Sequence, residues 1–258
     1  MKLIVLVKEV PDTYGDRTLN LETGLADRGA SESVLDEISE RALEVALSYA
    51  DGHEGTEITV LTLAPEGAVT TIRKALAMGA HGAIQIVDEA LQGADLTLTA
   101  EALAAAIKRA GFDLVIAGNS STDGSGGMVP AAIAEHLSVP LVSRVSTVEV
   151  ADGAVSGVRS VDGGVQQVRA ALPAVVSITE ALPDPRFPNF KGIMAAKKKP
   201  LETLTLADLA VDAEDATVAR SIMLTVAEKP ARAAGIKISD EGDAGDKLAD
   251  FLAENRLV

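Results

Sequence analysis

Cysteine and tryptophan are absent from the 258 residues, and aromatic side chains make up only 2%. Without cysteine there is no disulfide, no thiolate nucleophile and no Cys-ligated zinc or iron–sulfur centre. With so few rings there is little to stack on nucleic-acid bases. Positive charge is also scarce. The 23 Lys and Arg face 38 Asp and Glu, a formal charge of -15, which argues against non-specific binding to nucleic acid or to an anionic membrane surface. The three histidines, His53, His81 and His136, lie far apart and fall in no metal-ligand motif. Long apolar runs are missing too. Met1–Lys8 (MKLIVLVK) is too short in its apolar part for a signal-peptide core or a membrane span, so a cytoplasmic protein without membrane insertion is expected. What is present is globular: 47% hydrophobic and 24% charged residues. The length suits one large domain or two small ones, enough to bury roughly three quarters of the unfolded surface.

The first two thirds alternate between two periodicities. Leu3–Val7, Ile58–Leu63, Ala83–Val87, Leu114–Ala117 and Leu141–Val145 are short apolar runs, as expected of strands buried on both faces. Between them lie helical patterns. Val34, Leu35, Ile38, Ala42, Val45 and Ala46 share one face, with Ser33 as the expected N-cap. Pro65 opens a second helix through Ile72 and Leu76. Thr99–Ala110 is a third, with Lys108 and Arg109 in its last turn, and Pro130–Leu137 a fourth, with His136 expected to pack. Strands joined by helices of this length predict a doubly wound, mainly parallel α/β sheet. After Val145 the pattern changes. Ser146–Val150, Val155–Ser160 and Val165–Arg169 are short, alternating and joined by Asp-Gly or Gly-Gly turns, the signature of an antiparallel excursion. Ala174–Ile178 is apolar again and can return to the main sheet. Pro183–Pro200, with four prolines, two of the four Phe and Lys197–Lys199, reads as a long irregular loop. Its lysines read as a solvated basic run that could steer acidic partners. The expected division is an α/β domain over 1–200, including the loop 183–199, and an extended C-terminal arm over 201–258 too small for its own core.

The chemistry is sparse. The strongest candidate site is the run Gly118, Asn119, Ser120, Ser121, Thr122, Asp123, Gly124, Ser125, Gly126 and Gly127, leading into a helix near Met128. It follows a parallel strand and so lies on the sheet edge where open α/β folds bind ligands. Its glycines present backbone N–H groups, the helix start adds unpaired donors, and a phosphate or adenine nucleotide suits both. It is neither a Walker A motif nor a GxGxxG fingerprint, and an ordinary turn-rich loop would need the same residues. The edge at Leu6–Lys8 and the first-turn residues Asp36, Glu37, Ile38 and Ser39 can approach the same crevice. Glu37 and Asp36 are equally explained as acids favoured at a helix start. No Ser–His–Asp triad is legible, the nucleophile-elbow pattern lacks its second Gly, and Asp162 and Glu180 have no cleft around them. The residues point to a binding protein rather than a catalyst.

Several stretches together resemble the β subunit of the electron-transfer flavoproteins: LIVLVKEVPDT (Leu3–Thr13), TIRKALAMGA (Thr71–Ala80), DLVIAGNSSTDGSGGMVPAAIAEHL (Asp113–Leu137), VRSVDGGVQQVRAALPAVVSI (Val158–Ile178), PRFPNFKGIMAAKKKP (Pro185–Pro200) and AAGIKI (Ala233–Ile238). They occur in family order, and the run Val158–Lys199 is the most specific. The resemblance implies a fold related to adenine-nucleotide α-hydrolase-like domains and a heterodimer with an α subunit that holds most of an FAD. It implies electron flow from acyl-CoA and other flavin dehydrogenases, in fatty acid oxidation among other routes, to a quinone oxidoreductase, with no catalysis by this chain alone. It implies one structural AMP, contacted at Leu6, Asp36–Ser39, Leu63 and Gly118–Gly126, and some contact with the flavin through Pro11–Thr13 and Arg159. It also implies a partner-docking anchor at Phe190, flanked by Ile193 and Met194, with Phe187 as a packing residue. The family loop often reads Gln-Ala-Ile-Asp, then a Thr-Gly pair with Gln. Here Ser120-Ser121-Thr122-Asp123 stands instead and the later Gln is replaced by Gly or Met128, so the backbone cradle is kept while side-chain contacts differ. Two alternatives follow: a bifurcating-type subunit with a second FAD in place of AMP and NADH as reductant, or a stand-alone adenine-nucleotide-binding module.

Overall fold

The computed structural model describes residues 1–15, 17–232 and 234–258. Asp16, in the polar stretch after the first strand, and Ala233, which opens the AAGIKI motif, lie outside the described residues. The first apolar run forms β1 (Lys2–Leu6); β2 (Glu9–Pro11) and β3 (Ser33–Leu35) pair antiparallel after it. This corrects the assignment of Ser33 as a helix cap. Val34 and Leu35 satisfy strand pairing as well as helical spacing, and α1 (Glu37–Asp51) starts behind Asp36. There follow β4 (Glu57–Leu63), a 3-10 turn entered from Pro65, α2 (Val69–Met78), β5 (Gly82–Ile86) and α3 (Leu96–Ala110). The last of these begins at Leu96 rather than Thr99 because the Asp95 carboxylate accepts the Leu98 N–H at 2.9 Å. Then come β6 (Leu114–Gly118), α4 (Val129–Leu137) and β7 (Leu141–Val145). His136 is exposed on α4 rather than packed.

The excursion is a three-stranded antiparallel meander of β8 (Thr147–Ala151), β9 (Ala154–Val161) and β10 (Gly164–Ala171). Asp152 and Gly153 both adopt positive φ, 51° and 68°, as a two-residue type I′ hairpin requires. The chain returns to the main sheet as β11 (Ala174–Ile178). The stretch expected to be wholly irregular contains α5 (Phe190–Ala196), whose Asn189 side chain caps it by accepting the Gly192 N–H at 2.8 Å. Its prolines flank the helix rather than interrupt it, so they do not forbid it. Beyond residue 200, β12 (Leu201–Leu204) still pairs with β5. The main sheet therefore reaches past the expected boundary.

The seven main strands run in the order β12–β5–β4–β1–β6–β11–β7, all neighbours parallel. Side chains alternate across it. Leu3 and Val5 of β1 join α1 and α2 in one apolar layer; Ile4 joins α3 and α4 in the other. Both faces are covered, which is why these strands read as continuous apolar runs. Two compact units result, Met1–Leu224 and Thr225–Val258. The first holds the sheet and both apolar layers. The second contains α6 (Ala244–Glu254), which buries no residue of its own.

α5 is seated on α2 by backbone proximity. A Cβ at Gly192 would lie 2.3 Å from the Ala77 carbonyl oxygen. Around that contact Arg73 Nη1 donates to the carbonyls of Ala196 (2.6 Å) and Lys199 (2.8 Å), and Lys199 Nζ donates to the Leu76 carbonyl at 2.8 Å. Lys199 is thus tied to the end of α2 and is not part of a solvated run; burial lowers its pKa. Gly192→Ala is expected to push α5 off α2 and cost about 1–3 kcal/mol, as overpacking does, lowering the midpoint of thermal unfolding by several degrees. An unchanged melting curve would show that α5 has room to move.

Candidate functional site

The sheet order fixes where a ligand can sit. From β1 the chain builds outward through β4 and β5, then crosses to the other side of β1 to lay down β6. The crevice outside the carboxyl ends of β1 and β6 is the topological switch point of the fold. Leu6 ends β1, Leu63 ends β4, and Gly118 ends β6. The first turn of α1 closes against the same edge. A Cβ at Gly118 would lie 2.7 Å from two carbons of the buried Ile38 side chain, so only glycine lets β6 finish there.

The loop after Gly118 is held by side chains from distant segments. Asp36 is 1% exposed, and its Oδ2 accepts the Thr122 N–H at 2.9 Å. Its Oδ1 is buried and meets no donor among the described residues. Burial pushes the Asp36 carboxyl above the usual carboxylate range against the lowering effect of the Thr122 amide, and the nearby Asp123 charge adds to the rise. Ser39 is buried and its Oγ accepts the Lys8 N–H at 3.2 Å. Lys8 Nζ reaches over to Asp123 Oδ1 at 2.7 Å and Ser121 Oγ at 3.3 Å. Asp123 also accepts the Gly124 N–H at 2.6 Å and Arg28 Nη2 at 3.2 Å.

Burial alone would raise the Asp123 carboxyl, but the bonds from Lys8 and Ser121, the Lys8 charge and the Gly124 amide hold it down at about 2. A depressed carboxylate stabilises the fold above its unfolded pKa and loses that contribution as pH falls through the folded value. Stability supplied by Asp123 should therefore be complete above about pH 4 and drain away between the ordinary value of 3.8 and about 2. Asp36, shifted the other way, is relieved rather than weakened by protonation. Urea unfolding at a series of pH values should show an acid-sensitive limb in the wild type that Asp123→Asn lacks. Parallel profiles for the two proteins would contradict the assignment.

The second half of the loop faces outward. Gly124–Met128 are exposed, and Ser125 and Gly127 turn the chain with φ of 51° and 67°. Among the described residues no acceptor meets the N–H groups of Gly126, Gly127 and Met128. A Cβ at Gly126 would touch only Leu96 Cδ1, at 4.0 Å, so the space over it is open. α4 starts immediately behind, with Pro130 in its first turn. Free amides and a helix start converge here, as phosphate binding requires.

The structure places Leu6, Leu63 and Gly118 at the carboxyl ends of neighbouring parallel strands, with Asp36, Ile38, Ser39 and the loop to Met128 on the same edge of the sheet. It does not bring in the Glu37 side chain, which is exposed and lines a neighbouring cleft of about 220 Å³ with Asp12, Thr13, Tyr14 and Thr122. Arg159 lies elsewhere, on β9, bonded to Ser143 Oγ and Gln166 Oε1. On α5, Phe190, Ile193 and Met194 form an exposed apolar face, Phe190 with 77% of its surface free. Phe187, expected to pack, is 95% exposed. Its loop is pinned instead by Arg186, which bonds Glu44 and Asp51, each at 2.8 Å, and by Arg41 to Asp184 at 2.5 Å. Sequence reasoning missed Arg17 and Arg28, which sit in a long polar stretch with no local motif. No helix is long and apolar enough to cross a membrane among the described residues.

Comparison with known proteins shows the family. The family described as "Electron transfer flavoprotein domain" matches residues 23–209. The chain is 46% identical over 264 residues to the electron transfer flavoprotein subunit beta of Mycobacterium leprae, covering 99% of each. It is 36% identical to the Bacillus subtilis protein of the same name, over 84% of this chain and 83% of that one. It is 34% identical to the caffeyl-CoA reductase–Etf complex subunit CarD of Acetobacterium woodii, over 83% of this chain and 82% of that one.

Proposed function

The chain belongs to the electron transfer flavoproteins as a β subunit, and from that premise we propose that its crevice holds one AMP while an α subunit carries the FAD. The observation that supports the reading most is the loop itself. Among the described residues no acceptor meets the backbone N–H groups of Gly126, Gly127 and Met128, which lie beside an open space and a helix start. They would hold the phosphate. Where Asp36 holds the fixed half of the same loop at Thr122, its buried Oδ1 meets no donor among the described residues; such an orphan costs about 1–3 kcal/mol, which a ligand hydroxyl or amine would relieve. Leu6 and Leu63 supply apolar walls at the strand ends.

In this reading the nucleotide is structural, and the chain alone catalyses nothing. The flavin supplies the redox chemistry when the α subunit brings it. This chain contributes surroundings for it at Pro11–Thr13 and Arg159 and a docking face for its electron donors at Phe190, Ile193 and Met194. The donors are acyl-CoA and other flavin dehydrogenases, and a quinone oxidoreductase is the acceptor. A second reading draws on the likeness to a subunit of a caffeyl-CoA reductase–Etf complex: the crevice takes the larger FAD, and the complex uses NADH.

Gly126→Val tests the phosphate seat cleanly. The new side chain meets little of the protein, so the fold should survive, yet it fills the space above the free amides. The variant heterodimer is expected to purify with about a tenth or less of the wild-type AMP content, since losing close backbone approach removes several hydrogen bonds to a charged group. Full AMP content in the variant would place the cradle elsewhere.

A further inference from the structure

We propose that Arg17 and Arg28 are positioning residues that strap the segment between β2 and β3 across the nucleotide loop and thereby set how fast the bound nucleotide leaves. The inference rests on the nucleotide reading above.

Between the strands of the small β2–β3 pair the described residues are 12–15 and 17–32. Within them the chain folds into its own hairpin: Leu19 bridges Ala26, the Asn20 N–H donates to Leu25 at 2.9 Å and the Asp27 N–H donates to Thr18 at 3.0 Å. Arg17 and Arg28 flank this stem, one on each arm. Arg17 Nη1 donates to the Thr122 carbonyl, and its Nη2 spans the Pro11 carbonyl at 3.0 Å and Thr122 Oγ1 at 3.3 Å. Arg28 Nη2 pairs with Asp123 Oδ2 at 3.2 Å, while its Nη1 touches the Glu9 carbonyl at 3.4 Å. Both arms of the hairpin are therefore stapled to consecutive residues of one loop.

Those two residues are the fixed half of the loop. Thr122 is held at its N–H by Asp36 and at its carbonyl by Arg17; Asp123 is held by Lys8, Arg28 and the Gly124 amide. The free amides begin three positions further on. With Thr122 and Asp123 clamped, Gly126–Met128 are presented in one arrangement; with the clamp open, the loop must order itself around the phosphate. Arg28 is 45% exposed in its ion pair, and such pairs are individually weak and salt-screened. That suits a strap that opens reversibly better than a permanent lock. In a chain of formal charge -15, these cations also mark this edge as the place for an anion.

The test uses the intact αβ heterodimer loaded with radiolabelled AMP and chased with excess unlabelled AMP. Arg17→Gln and Arg28→Gln should each speed release by roughly two- to fivefold, the upper part of the range of one such contact. Arg28→Lys should restore slow release because one ammonium can still meet Asp123. Arg17→Lys should not, because one ammonium cannot replace a fork across two segments. Raising the salt from 0.05 M to 0.5 M should speed release from the wild type but not from the double Gln variant. Unchanged release in the double variant, or a salt effect that persists in it, overturns the strap. If the wild-type heterodimer carries no nucleotide, the site reading fails separately. Amide exchange at residues 120–125 then decides the strap: faster exchange in the double variant, with the strands of the main sheet unchanged, supports it as the device that orders the loop, and equal exchange overturns it.

Discussion

Phe190→Ala is expected to slow electron transfer from an acyl-CoA dehydrogenase by about thirtyfold while leaving folding, AMP and FAD content intact. The magnitude is that of one dominant interface residue, about 2 kcal/mol. Phe190 is the first residue of α5 and 77% exposed, so truncating it removes little internal packing. What presents it is rigid: Asn189 caps the helix, and Gly192, Arg73 and Lys199 seat it on α2. An apolar anchor on a fixed helix gives a small, transient contact that suits repeated turnover. Ile193→Ala and Met194→Ala should have smaller effects in the same direction. Phe187→Ala should change the rate less than about threefold, because that ring precedes the helix and is not part of its apolar face. Reduction of a small artificial acceptor should be untouched in all four. Equal loss with the dehydrogenase and the artificial acceptor, or no loss with either, would remove Phe190 from the docking role.

Truncation after Lys229 is expected to abolish recovery of the heterodimer. The unit Thr225–Val258 contains a helix with no buried residue, and Ile236, Leu248, Leu257 and Val258 are all more than half exposed. A segment with that many bare apolar side chains has no core to justify folding alone. Covering each on a partner contributes roughly 1.5–3 kcal/mol, so losing several lowers affinity by more than about a thousandfold. The α/β unit itself should be unharmed, since its sheet and both apolar layers end before Leu224. Copurification of the truncated chain with the α subunit at full yield would show that the arm is a frayed terminus.

The layered sheet was legible because burial on both faces leaves continuous apolar runs, and Ala174–Ile178 matches its expected bounds. The position of the Gly118–Gly127 loop was legible from topology: a glycine-rich run after a parallel strand can only lie at the carboxyl edge. Other elements were hidden for identifiable reasons. α5 sits among prolines that border it, and its seating depends on one Ala77 carbonyl far away in sequence. Ser33–Leu35 is too short to show a period, and its strand state comes from pairing with Glu9–Pro11. Lys199 looked solvated because its acceptor, the Leu76 carbonyl, is supplied by tertiary packing. Arg17 and Arg28 carried no motif, as their partners Thr122 and Asp123 lie about a hundred residues on.

The nucleotide content of the heterodimer, released by denaturation and quantified by chromatography and mass, tests the central claim most directly. One AMP and one FAD per αβ pair is the expected result, with AMP depleted and FAD largely retained in Gly126→Val. Two FAD and no AMP would assign the crevice to a second flavin, and a heterodimer with no AMP and a single FAD would contradict the nucleotide site altogether.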